Sequence, residues 1–133
     1  MTPGRFLVAR LFVVAMVVTI VGCGGPPTGV QELTTAAFHR QVLTASYPSL
    51  VDFSLPDCAV CEEMRPVVAA VAKELAGEAL VGHVDCWDQD ALGLHYEIAV
   101  TPTFIVFVDG EPKRRLTGRQ SQADLVAAIR QSR

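Results

Sequence analysis

The chain has 133 residues, 11 Lys plus Arg against 14 Asp plus Glu, half of its residues apolar and four cysteines. That is room for one small domain, and 19% charged residues with only 8 Pro and 10 Gly exclude a wholly disordered or collagen-like chain. A net charge of −3 without any long Lys/Arg run lacks the basic face that neutralises phosphates, so no nucleic-acid partner is expected.

Leu11 to Val21 reads LFVVAMVVTIV, uncharged and preceded by Arg5 and Arg10. A membrane-spanning helix needs roughly 20 apolar residues, so this shorter run behind basic residues predicts a signal peptide over residues 1–22. Ile20-Val21-Gly22-Cys23 resembles the bacterial lipobox. That resemblance implies cleavage before Cys23 and lipid attachment to it, each buried methylene adding about 0.8 kcal/mol of membrane affinity. The expected location is the bacterial cell envelope, the protein held at a membrane and facing the periplasm or exterior. Residues 23–33 then read as the lipidated cysteine and a flexible Gly/Pro-containing tether, and residues 34–133 as the folded domain. No internal repeat is present.

Thr34 or Thr35 is placed to cap a helix over Ala36 to Ala45, with Phe38 and Val42 on one face and Pro48 as its limit. Ser49 to Leu55 is short and apolar and reads as a strand buried on both faces, with Asp52 as the anomaly inside it. From Cys61 to Leu75, Met64, Val67, Val68, Val71, Ala72 and Leu75 recur at helical spacing, with Pro66 as an expected kink and Gly77 as a stop. Leu80 to Val84 reads as a strand, Asp88 to Tyr96 as a short helix and Thr103 to Val108 as a third strand. Asp109-Gly110 signals a hairpin to Pro112–Thr117, whose proline suits an edge. Ala123 to Ile129 closes as an amphipathic helix behind the cap Ser121. The expected order is αβαβαββα, an α/β domain.

Cys58-Ala59-Val60-Cys61 falls where the first strand hands over to the long helix. Unpaired N–H groups and the helix dipole favour a thiolate there, lowering a cysteine pKa from about 8.5 towards 3.5 to 7.5. Cys58 is therefore the expected nucleophile, and Cys61, one turn later, the resolving thiol that closes an intramolecular disulfide. A zinc site needs two further closely spaced ligands. Cys86, His83 and His95 form no second knuckle, so no metal is expected. A purely structural disulfide remains the plainer alternative.

Over residues 34–131 the sequence resembles the thioredoxin family. Val51-Asp52-Phe53 precedes Cys58 as that family's buried Asp precedes its first active cysteine, Pro66 follows Cys61 by five residues, and Thr101-Pro102-Thr103 matches its cis-proline segment. Gly110 and Gly118 match glycines around the last hairpin. The resemblance implies a thioredoxin fold, a central mixed sheet flanked by helices. It also implies that Asp52 relays protons for Cys61 and that Thr101 and Pro102, with Ala59 and Val60, contact a bound polypeptide.

Several positions depart from the family. Asp57 and Ala59-Val60 replace the usual residues around the cysteines, Ser54 stands where a second Trp is usual, and Val81 is read as occupying the place of a Lys near the buried Asp. Asp57, Glu62 and Glu63 add negative charge that opposes thiolate formation, so a mildly reducing protein is expected. Cys86, after Asp85 at a strand end, is a candidate third redox thiol, against the plainer reading of an inert buried cysteine. Trp87 supplies either aromatic surface or core packing. The expected function is disulfide reduction on protein substrates outside the cytoplasm, without a bound cofactor and fed by a membrane electron donor. The alternatives are a binding module with a permanent disulfide and a disulfide-introducing oxidase.

Overall fold

The computed structural model describes residues 24–133. The apolar run Leu11–Val21, the cleavage box and Cys23 lie outside the described residues. Among the described residues no helix is long and apolar enough to cross a membrane.

Among the described residues five strands and four helices follow one another. They are β1 Val30–Glu32, α1 Thr35–Phe38 continuing as a π-helical turn His39–Leu43, β2 Ser49–Ser54, α2 Ala59–Glu74 and β3 Leu80–Asp85, then α3 Asp90–His95, β4 Thr103–Val108, β5 Glu111–Thr117 and α4 Gln122–Arg130. The strands form one sheet in the order β1-β3-β2-β4-β5. β3 is parallel to β1 and β2, whereas β4 is antiparallel to β2 and β5. This is the mixed sheet flanked by helices that the resemblance implies.

The strand period of two divides the apolar residues between two cores. On one face Leu50, Val81, Phe104 and Val106 pack with Met64, Val68 and Val71 of α2 and Leu125 and Ile129 of α4. On the other, Val51, Phe53, Leu80 and Phe107 meet Phe38 and Leu92. Phe38 holds this second core together, its ring 5.4 Å from that of Phe107 and 5.5 Å from that of Tyr96.

Helix ends follow the capping chemistry. Thr34 Oγ1 accepts from the Ala37 N–H at 3.2 Å and Ser121 Oγ from the Asp124 N–H at 3.1 Å. The expected Ala36–Ala45 helix shortens and loosens, since the Thr44 N–H reaches back five residues to the His39 carbonyl. α2 runs as one element through Pro66 and starts two residues earlier than expected, with Cys58 as its cap.

One boundary is corrected. Val30–Glu32, read as tether, is a strand paired with Val81–His83, and Leu33 is buried with its N–H on the His83 carbonyl. Three residues between Gly29 and a buried leucine carried too little alternation to register as a strand, and it is the neighbour β3 that orders them. The candidate tether shrinks to residues 24–29.

Candidate active site

Because β2 and β3 run parallel and β4 runs against them, the C-terminal ends of the first two and the start of the third share one edge of the sheet. The Cys58–Cys61 segment, Cys86 and the Thr101–Pro102 segment lie at the ends of these strands. Cys58 and Cys61 are disulfide-bonded, with Cα atoms 5.2 Å apart.

Cys58 is half-buried and Cys61 is 3% exposed. Cys58 Sγ caps α2 by accepting from the Cys61 N–H at 3.1 Å. The Thr101 hydroxyl donates to the same sulfur at 3.6 Å, and the Thr101 carbonyl oxygen lies 3.7 Å from it. Opening the disulfide leaves these two donors and the helix N-terminus around Cys58, where they favour a thiolate. The Thr101–Pro102 peptide is cis and Pro102 is buried. Gly118, in the left-handed region at φ 73°, donates its N–H to the Pro102 carbonyl at 2.9 Å. Of the other expected contact residues, Ala59 is exposed and Val60 half-buried on the first turn of α2.

Asp52 is 3% exposed on the sheet face that α2 covers. Burial pushes its pKa up; the Ser54 hydroxyl, donating to Oδ1 at 2.8 Å, and the charges of His83 and Arg65 offset part of that rise, whereas Glu32 adds to it. Two of these neighbours were not singled out from the sequence as partners of Asp52. Ser54 stands two residues along the strand from Asp52, hence on the same face, and that spacing was the available signal. His83 emerges from strand pairing: the residue opposite Asp52 is His83, whereas Val81 pairs with Leu50. The basic neighbour of the buried acid is thus a histidine, and Val81 is not its replacement.

The acidic surroundings of the dithiol are also weaker than their sequence suggests. Glu62 pairs with Arg65 at 3.0 Å, and Glu63 receives a two-point contact from Arg119 at 2.7 and 3.0 Å, whose hydrogen bonding holds the Glu63 carboxyl below its usual range. Asp57 alone of the three has no ion-pair partner among the described residues.

Cys86 donates its N–H to the Ser54 carbonyl and packs its sulfur against Gly93 of α3. Burial, then the charges of Asp85 and Asp52, push its thiol up to about 11, which opposes the thiolate that disulfide exchange needs. Trp87 is 76% exposed, so core packing is not its role.

The comparisons with known proteins agree with this geometry. The family model for Thioredoxin matches residues 29–131. Thioredoxin of Mycobacterium tuberculosis (strain ATCC 25618 / H37Rv) is 32% identical over 98 residues, covering 74% of this chain and 84% of that protein. Thioredoxin of Porphyra purpurea is 30% identical over 100 residues, 75% of this chain and 94% of the other. Protein disulfide isomerase-like 1-3 of Arabidopsis thaliana is 33% identical over 101 residues, 76% of this chain but 17% of that longer protein. With the match spanning strand β1 through helix α4 and enclosing the Cys58–Cys61 pair, the chain belongs to the thioredoxin family.

Proposed function

We propose that this protein is a thiol-disulfide oxidoreductase that reduces protein disulfides outside the cytoplasm. The observation that carries the reading is Cys58 at the cap of α2, its sulfur receiving the Cys61 N–H and the Thr101 hydroxyl. In reduced protein the Cys58 thiolate attacks a substrate disulfide, forming one S–S bond as the substrate's breaks and releasing a substrate thiolate that takes a proton from solvent. Cys61 then gives its proton to the Asp52 carboxylate and attacks Cys58. The Cys58–Cys61 bond forms, the second substrate sulfur leaves, and two electrons have passed to the substrate.

A protein substrate suits the surface around the dithiol. Leu55, Trp87 and Val100 are exposed apolar residues, each adjoining one of the three segments that meet at this edge. Thr101 supplies backbone groups there for an extended chain.

The envelope location rests on Arg5, Arg10, the apolar run and Cys23. A lipid on Cys23 followed by residues 24–29 allows the domain to stand at most about 20 Å from its anchor, close enough to meet an electron donor within the same membrane. Such a donor is required to recycle a reductase in an oxidising compartment. Cys23→Ser is expected to release the protein from the membrane fraction; retention of the variant contradicts lipid anchoring.

The direction of electron flow has one competing observation. With Glu62 and Glu63 paired to arginines, the charge that disfavours a Cys58 thiolate falls mainly to Asp57, which moves the balance towards an oxidase. Equilibrating the full-length protein against glutathione and dithiothreitol buffers and counting alkylated thiols separates the readings. A potential near about −270 mV supports a reductase, one near about −120 mV an oxidase. A bond that opens in neither buffer contradicts both and leaves a binding module with a structural disulfide.

A further inference from the structure

Behind the dithiol a cleft of about 460 Å³ opens between β1, β3 and α2, large enough for several water molecules at about 30 Å³ each. Its titratable lining is Glu32, Asp52, Arg65, His83, Asp85 and Asp88. Three of these form a row, because Glu32 pairs with His83 across β1 and β3, and His83 with Asp52 across β3 and β2. Partners in parallel strands point to the same face, with strands about 4.8 Å apart. Along this row exposure falls from the Glu32 side chain at 79%, through His83 at 20%, to the buried Asp52. His83 Nδ1 and Glu32 Oε2 are 2.7 Å apart.

The reaction needs such a route. Each substrate reduced leaves one proton on a carboxyl that is almost wholly enclosed, and Asp52 must lose it before it serves Cys61 again. Ser54 satisfies one Asp52 oxygen but, with its only proton in that bond, carries nothing to solvent. With Nδ1 donating to Glu32, the imidazole presents Nε2 as a proton acceptor, and histidine is the side chain that changes charge near neutral pH.

We propose that the cleft is the proton port of Asp52, with His83 passing the carboxyl's proton to water in the cleft and Glu32 holding the imidazole in place. This rests on the oxidoreductase reading above. His83 is a positioning residue, acting on the sulfurs only through Asp52, and Arg65 on the α2 side adds fixed positive charge that favours the ionised carboxylate.

The test follows resolution of a mixed disulfide by Cys61, by stopped flow from pH 5.5 to 8.5, in full-length wild type, His83→Ala and Glu32→Gln. His83→Ala is expected to slow this step about tenfold, less than the 10²–10⁴-fold of removing a direct acid or base, and to be rescued by added imidazole entering the cleft. Glu32→Gln, at an exposed position where folding is not at issue, is expected to slow the step by less, through a less firmly held imidazole, while loss of its charge moves the Asp52 midpoint down rather than up. Carboxyl-carbon NMR is expected to show a higher Asp52 titration midpoint in His83→Ala. Wild-type rate profiles in both variants, with an unmoved Asp52 midpoint, overturn the proposal. A wild-type protein that exchanges no disulfide at all contradicts the oxidoreductase reading instead, and the Asp52 midpoint then still reports whether His83 is coupled to it.

Discussion

Asp52 is almost wholly buried by the fold, and its pKa stands above the ordinary value of 3.8. The native state therefore holds this proton to a higher pH than the unfolded chain does. Its contribution to stability is complete below the unfolded pKa and is lost as pH rises through the folded one, each tenfold change in proton affinity being worth about 1.4 kcal/mol. Asp52→Asn removes the cost of a buried charge, so it is expected to raise the thermal midpoint at pH 8 while slowing resolution by Cys61. A midpoint that falls at pH 8 contradicts the burial argument. Burial and the neighbouring acids work against a Cys86 thiolate. A thiol near 11 has about one part in ten thousand ionised at pH 7, so iodoacetamide is expected to label reduced Cys58 far ahead of Cys86. Comparable labelling by mass mapping contradicts this order and favours Cys86 as a third redox thiol. Asp52, Cys58, Cys61 and Pro102 were legible because each belongs to a local pattern of fixed spacing. His83 and Arg119 were less so, since strand register decides the first, and Arg119 comes from a segment 56 residues beyond Glu63.

Among the elements, the β4–β5 hairpin shows local chemistry that settles structure outright. Asp109 and Gly110 both have positive φ, 52° and 77°, the two left-handed residues of a turn whose twist matches its strands. A Cβ on Gly110 would also collide with the Leu43 carbonyl. Gly110→Ala thus combines backbone strain with an overlap against immobile backbone, and a loss of about 2 kcal/mol or more is expected in denaturant unfolding. A neutral substitution contradicts the close approach. Phe38→Ala empties a site enclosed by Phe53, Tyr96 and Phe107 and is expected to cost about 3–5 kcal/mol. Such elements were readable because periodicity and turn residues agreed. β1 was not, since an edge strand of three residues has no pattern of its own and exists by pairing with β3.

At the scale of the molecule, the sheet order joins segments far apart in the chain. The parallel β2–β3 pair and the antiparallel β4 bring Leu55, Trp87 and Val100 to the edge that carries the cysteines. Trp87→Ala, at a side chain that supports no core, is expected to raise KM for a protein disulfide while leaving the rate with a small disulfide unchanged. Equal effects on both contradict a docking role. The sequence motifs named the family, but the row of Glu32, His83 and Asp52 depends on long-range pairing that no local pattern encodes.

The central claim is the division of labour between Cys58 and Cys61. It is tested most directly by mixing the reduced Cys58→Ser and Cys61→Ser full-length variants with a disulfide-containing protein and resolving the products by non-reducing electrophoresis and mass spectrometry. The account predicts a stable mixed disulfide through Cys58 in Cys61→Ser and none in Cys58→Ser. Adducts of equal yield in both variants, or turnover retained in both, would contradict it.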